Sequence, residues 1–349
     1  MSHRPVEVVP GIHMLRVPLV VPFMERDEAS ATLAYLAKLK DGWLMVDSGY
    51  NDQSAFDLLR SQLEALGIPL QDLRWLLITH YHPDHSGLAQ RIKEASGARV
   101  IIHQDDWEIL QHAVSQAQTW TLDGLVEWAR SLGVPPSELD EFYRTGTFGR
   151  MLFPRGLEPD LILQGDENVI PGEDHLRMIL TPGHSPGHVC LYDESRKMLF
   201  SGDHVLVEIT PHISPSHLTS YNQLGQYLDA LRKVRPLDVQ MVLPAHERPF
   251  THLAQRVDEI LEHHRQRLAE VIAGLSSGPS TPWALASSVH WDVGPWEDMV
   301  ATNRLLAVRE TLAHLQFLES NGQVVSEEQD QVRLYRLNPS PARGGCSNT

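Results

Sequence analysis

Six consecutive positions, His80-Tyr81-His82-Pro83-Asp84-His85, carry three histidines and an aspartate. Neutral imidazole and carboxylate are the ligands of choice for zinc and similar divalent ions. The turn that Pro83 imposes can send His80 and His82 one way and Asp84 and His85 another, so one short loop could serve two metals. Three more residues of ligand type stand where apolar runs end. His184 follows Thr181-Pro182-Gly183, Asp203 follows Ser201-Gly202, and His246 follows Leu243-Pro244-Ala245. One such histidine alone is an ordinary hydrogen-bonded loop residue. Seven together suit two metals that keep positions open for water and substrate.

The elements that must position these residues alternate in type over the first 250 residues. Trp43 to Val46 runs into Asp47-Ser48-Gly49, and Trp75 to Ile78 runs into Thr79-His80. Arg99 to Ile102 ends at His103, Leu176 to Leu180 at the His184 loop, Met198 to Phe200 at Asp203, and Val239 to Leu243 at His246. Each run has strand length and is punctuated by Gly or Pro. Helical spacing appears over Gln53 to Leu66, Leu88 to Ala95 and Tyr221 to Val234. The pattern predicts an α/β or α+β layered fold that gathers polar groups at one sheet edge.

Residues 104–160 interrupt the alternation. Asp106 to Leu132 is expected as helix, Pro135-Pro136 breaks it, and Phe142, Tyr143, Phe148, Met151 and Phe153 crowd a Gly-punctuated segment. This helical insertion is expected to pack on the sheet, and to offer Phe148 and Met151 as an apolar wall for a substrate. From 251 the character changes. His252 to Leu275 reads as a long amphipathic helix, Thr281-Pro282-Trp283 starts a second, and Pro295 to Ser320 holds a third. Gln323-Val324-Val325 and Val332 to Tyr335 flank a polar Glu-Glu-Gln-Asp turn, the pattern of a hairpin. The expected domains are thus a catalytic part over 1–250, a winged-helix-like module over 251–338 and a disordered tail over 339–349.

Composition excludes several classes. The 349 residues, 42% hydrophobic and 21% charged, suffice for about two packed domains and rule out wholesale disorder. No apolar run approaches the ~18–20 residues of a membrane span, and MSHRPVEVVPG lacks the apolar stretch of a signal peptide, so a cytoplasmic protein is expected. Two cysteines, Cys190 and Cys346, make no disulfide framework, and Cys190 within His188-Val189-Cys190-Leu191-Tyr192 reads as a small buried apolar residue. A net charge of −16 argues against a general nucleic-acid binder.

The order His80-x-His82-x-Asp84-His85, His184, Asp203, His246 resembles the metallo-β-lactamase superfamily of hydrolases. Asp47-Ser48-Gly49 is similar to its first motif, and Thr181-Pro182-Gly183-His184-Ser185-Pro186-Gly187-His188 to its third. The resemblance covers about residues 6–250, and that of the C-terminal part to one branch's winged-helix-like extension is looser. It implies an αββα sandwich with metals at one sheet edge. His80, His82 and His184 would hold the first ion, Asp84, His85 and His246 the second, and Asp203 would bridge them. Asp47 would orient a ligand histidine from behind. Zinc is the expected metal, with iron and manganese nearly as well suited. Two such ions share a water whose pKa falls toward ~7, and the resulting hydroxide attacks a carbonyl or phosphoryl centre. Asp84 is placed to move the proton. His212 either hydrogen-bonds a developing oxyanion or is a structural loop histidine, and His188 is placed to fix the loop that carries His184.

The implied activity is hydrolysis of a small-molecule ester, thioester or lactone with an apolar body. The alternative is a phosphodiesterase or endoribonuclease of the same fold. Thr251 to Asn338 carries 12 acids against 7 bases, the wrong sign for phosphate contacts. The same balance disfavours a third reading, a non-catalytic regulator using the module on DNA. The module is expected instead to cover the catalytic domain or to build a homodimer.

Overall fold

The apolar runs fold as strands covered on both faces, which is why they show little polar alternation. The computed structural model describes residues 4–18, 31–115, 122–139, 153–215 and 222–339. One sheet has seven strands in the order β1 (Val6–Val9), β2 (Ile12–Pro18), β3 (Ala31–Leu39), β4 (Gly42–Val46), β5 (Leu73–Leu77), β6 (Arg99–His103) and β7 (Leu161–Leu163). Neighbours pair antiparallel from β1 to β4 and parallel from β4 to β7. A second sheet holds β8 (Leu176–Leu180), β9 (Val189–Asp193), β10 (Met198–Gly202) and β11 (Met241–Pro244), with only β10 and β11 parallel.

Side-chain alternation decides which layer each residue joins. Leu33, Tyr35, Leu44 and Leu77 of the larger sheet face Met178, Leu191, Phe200 and Leu243 of the smaller one across a common core. Their neighbours Leu36, Met45, Leu76 and Val100 point to the outer face. There they meet Leu59 and Leu63 of α1 (Gln53–Ala65), Ile92 of α3 (Ala89–Ser96) and Leu110 of α4 (Gln104–Ser115). The one-turn α2 (Pro83–Ser86) precedes α3. Asp52 caps α1 by accepting from the amides of Ser54 and Ala55, which satisfies two donors the helix cannot. Beside the smaller sheet, Lys233 of α6 (Gln223–Val234) donates to the Leu180 carbonyl at 2.9 Å. The expected αββα sandwich is the observed one.

The chain forms two compact units, one of Met1–Thr119, Phe148–Pro211 and Asp229–Asp258, the other of Trp120–Thr147, His212–Leu228 and Glu259–Thr349. The second contains α5 (Leu122–Ser131), most of α7 (Leu253–Leu275), α8 (Pro282–Ala286), α9 (Ala301–Ser320) and the hairpin of β12 (Val324–Gln329) and β13 (Val332–Leu337). Its core joins Ala129, Leu132, Val134 and Leu139 to Val271, Leu285, Leu312 and Tyr335. The insertion therefore does not pack on the sheet as one piece. Trp107 and Phe153 lie against the outer cluster of the larger sheet, whereas Trp128 joins the helices of the second unit. Phe148 and Met151, the expected substrate wall, lie outside the described residues, as does the tail from 340. The hairpin turn also differs from expectation. Glu327, Glu328 and Gln329 belong to β12, and the turn is Asp330-Gln331, both at positive φ, the two-residue geometry that matches strand twist. Among the described residues no helix is long and apolar enough to cross a membrane.

Two buried histidines in the second unit face each other, His264 Nδ1 lying 3.1 Å from His314 Nε2. Such a contact needs one ring to donate and the other to accept, so protonating both breaks it. Burial pulls His314 from 6.5 down to about 3 and holds His264 well below its usual value. The unfolded chain therefore binds more protons below pH ~6.5, and stability falls as pH drops from there toward 3. Burial of Glu310 raises its carboxyl to about 7 and opposes this trend with one group against two. His314→Gln is expected to flatten the acid dependence of unfolding by up to ~1.4 kcal/mol per pH unit, measured by denaturant titration at several pH values. An unchanged slope would show that the pair does not titrate on unfolding.

Candidate metal centre

The strands that end in ligand-type residues all end at one edge. β5 delivers His80 after Thr79, β8 the His184 loop, β10 Asp203 and β11 His246. β8, β10 and β11 run the same way because β9 reverses twice between them. The two sheets are tied at this edge, where Val189 N donates to Thr79 O (2.9 Å) and Leu33 N to Ala245 O (2.7 Å). Pro83 starts α2, whose single turn carries Asp84 and His85, with His82 as its cap. Gly202 lets β10 reach the site. Its φ is +51°, and a Cβ there would stand 2.6 Å from His188 Nε2.

The structure brings together all seven ligand-type residues singled out in the sequence. They form three overlapping groups of donor atoms: His80, His82 and His184; His80, His85 and Asp203; and Asp84, His85 and His246. His82 Nδ1 lies 3.0 Å from both His80 Nε2 and His184 Nε2. Asp84 Oδ2 lies 3.3 Å from His85 Nε2 and 3.4 Å from His246 Nε2. Asp203 sits between the groups, its Oδ2 3.5 Å from both His184 Nε2 and His85 Nε2 and its Oδ1 3.3 Å from His246 Nε2. His80 and His85 are fully buried, while Asp84 and His246 keep 15–17% of their side chains exposed, so the cluster has one wet side.

Three of the rings are held from behind. His85 Nδ1 donates to Asp47 Oδ2 (2.9 Å), and His246 Nδ1 lies 3.2 Å from Ala31 O. His80 Nδ1 meets Thr79 Oγ1 at 3.0 Å, and that hydroxyl is 2.9 Å from Asp47 Oδ2. One carboxylate thus orients His85 directly and His80 through Thr79, the role expected of Asp47. It does so from a left-handed backbone, φ 59°, which is strained for a residue with a Cβ.

The donor set fits divalent ions. His85 Nε2 and Asp203 Oδ1 are buried without a hydrogen bond, although buried polar atoms nearly always have one. Burial, reinforced by neighbouring imidazoles, drives His82 down to about 3 and His80 well below its usual value, so both offer lone pairs. On the other side burial is outweighed: Asp84 and Asp203 raise His85, and Asp203 and Asp84 raise His246 to about 10. Two carboxylates that pull protons onto ligand nitrogens mark a place short of positive charge.

The metallo-β-lactamase superfamily model matches residues 28–246. The chain belongs to that superfamily. Among its superfamily relatives, the probable metallo-hydrolase YqjP of Bacillus subtilis is 23% identical over 328 residues, covering 89% of this chain and 93% of its own. Human acyl-coenzyme A thioesterase MBLAC2 is 32% identical over 125 residues, 36% of this chain and 38% of that protein. A metallo-β-lactamase family protein of Thermus thermophilus superposes with a TM-score of 0.76 at 27% identity, covering 95% of this chain and all of that one.

Other residues at this superfamily site carry weaker sequence signals. Asp203 N donates to His188 Nε2 at 3.1 Å, so the ring proton is on Nδ1, which faces Thr181 Oγ1 at 2.8 Å. His188 thereby ties the His184 loop to the Asp203 turn, as its place in the motif suggests. Tyr50 follows the Asp47-Ser48-Gly49 motif directly. Burial, with the fields of Asp84 and Asp203, raises its hydroxyl and keeps it a neutral donor. His212 is not brought into the donor groups. It belongs to the second unit, where Nε2 donates to Leu306 O at 2.9 Å.

Proposed function

We propose that the chain is a dinuclear metal-dependent hydrolase of acyl esters, with thioesters first among them and lactones included. The observation that carries this is the position of Asp203, within 3.5 Å of ligand nitrogens from both donor groups. His80, His82 and His184 would hold one ion, Asp84, His85 and His246 the other, and Asp203 would serve both. Such ions supply Lewis acidity toward a substrate oxygen and acidify water. The chain's own residues do the rest. Asp47 and Thr79 fix ring orientation. Asp84, partly open to solvent, presents a carboxylate that could accept a proton and pass it to the leaving atom. The likeness to a thioesterase over a third of the chain supports the acyl class. The acidic balance of residues 251–338 tells against a long polyanion such as RNA as substrate.

Zinc-replete protein is expected to retain about two ions per chain and to cleave acyl-coenzyme A thioesters or lactones in preference to phosphodiesters and RNA. Elemental analysis and a hydrolysis panel measure both. Metal content near zero overturns the dinuclear centre, and cleavage of RNA alone overturns the acyl assignment.

A further inference from the structure

Asp106 is a fully buried carboxylate in the first turn of α4, well apart in sequence from every donor residue. Its Oδ2 accepts from Tyr81 N at 2.8 Å and from Ser185 Oγ at 2.6 Å, and its Oδ1 accepts from Gly187 N at 2.6 Å. Tyr81 lies between His80 and His82, and Ser185 follows His184. One side chain therefore grips both loops that supply the three-histidine group. The approach is close: a Cβ on Gly187 would stand 2.7 Å from Asp106 N and 2.8 Å from His103 Nδ1. Gly187 does not adopt a positive φ, so space rather than backbone conformation calls for glycine there. No cation pairs with Asp106 among the described residues, and burial pushes its carboxyl up to about 7 against the pull of its three donors. A carboxyl kept where apolar packing would be cheaper fits a role in alignment.

We infer that Asp106 is a positioning residue which sets the spacing of the His80–His82 loop against the His184 loop, and so controls the affinity of the first metal position alone. The second group takes its support from Asp47, which holds His85, and from Ala31, which faces His246. The inference rests on the proposed metal centre and predicts an asymmetry that a general loss of stability would not produce.

The test uses full-length protein with zinc and with cobalt(II). In Asp106→Asn one of the three donors must face an amide NH2. The exposed Asp105→Asn in the same turn is the control, and Ser185→Ala, which removes a single donor, is a milder probe should Asp106→Asn fail to fold. Expected are a fall from about two zinc ions to about one per chain in Asp106→Asn and a roughly 10–100-fold weaker hold on the lost ion in chelator competition. The cobalt spectrum should lose the contribution of one position and keep the other. Ser185→Ala should weaken the same ion less, and Asp105→Asn should match wild type. Wild-type stoichiometry and competition in Asp106→Asn, or in Ser185→Ala if only that variant folds, overturn the inference while leaving the metal centre standing. Equal weakening of both ions also overturns it. Wild-type protein that holds no metal overturns the centre itself, and the inference with it.

Discussion

Asp203→Asn is expected to lower kcat/KM by at least ~100-fold, beyond the 10–100-fold typical of residues that only support a ligand. The substitution keeps shape and removes one of the two carboxylates in the cluster. Asp203 Oδ2 faces His184 and His85 at 3.5 Å, and Oδ1 faces His246 at 3.3 Å. An amide can offer only one of those oxygens and turns a proton toward a ligand nitrogen in the other place. The loss falls on both metal positions at once, whereas His82→Ala removes a donor from one. The fold should persist, because the Asp203 backbone stays held through its N–H to His188 and the neighbouring strands are tied by Ala245 N to Gly202 O. Metal analysis, thermal melting and kinetics on the best panel substrate decide the matter. Native turnover with two ions bound would remove Asp203 from the site.

Phe200→Ala is expected to cost about 3–5 kcal/mol of stability, the range for deleting a buried aromatic ring from a core. Phe200 is wholly buried between the sheets. Its ring stands edge-on to Tyr35, 5.5 Å between centroids, and the Tyr35 hydroxyl donates to Pro244 O at 2.8 Å. The cavity would open where the two sheets are joined, and a unit of this size should melt roughly 6–20 °C lower. Turnover per folded molecule should change by only a few-fold, because the ring is part of the apolar core between the sheets rather than of the donor groups. A melting shift below about 2 °C would mean that the surrounding side chains close the gap.

The sequence shows these features to different degrees. The seven donors were legible because each stands in a short polar motif just past an apolar run, and a strand end is where a sheet exposes polar groups. The meander of β1 to β3 carries no such mark, since its strands end on nothing chemical and Thr32 to Ala37 is a featureless buried stretch. Asp106 was hidden by its commonplace position, an acid in the first turn of a helix, where the helix dipole alone would explain it. The partners of α5 could not be read either. Ala129 and Leu132 mark an apolar face, but a face does not say whether a sheet or another helix will cover it. The turn of the hairpin is hard to place from sequence because Ser326 to Gln329 of β12 are as polar and exposed as the turn itself, so polarity does not separate strand from turn.

The interleaving of the two units has a consequence for synthesis. Ala129, Leu132, Val134 and Leu139 leave the ribosome well before the residues that bury them, since Val271 follows Leu139 by about 130 residues, some ten seconds or more at ordinary elongation rates. Tyr335 completes that core only when the chain is almost finished. The helical segment must therefore wait with its apolar face uncovered while the strands β8 to β11 are still being made, a window in which holding chaperones have something to bind. A truncation after Asp258 would make that wait permanent, so the C-terminal part cannot be trimmed away as a separable appendage to leave a clean catalytic core.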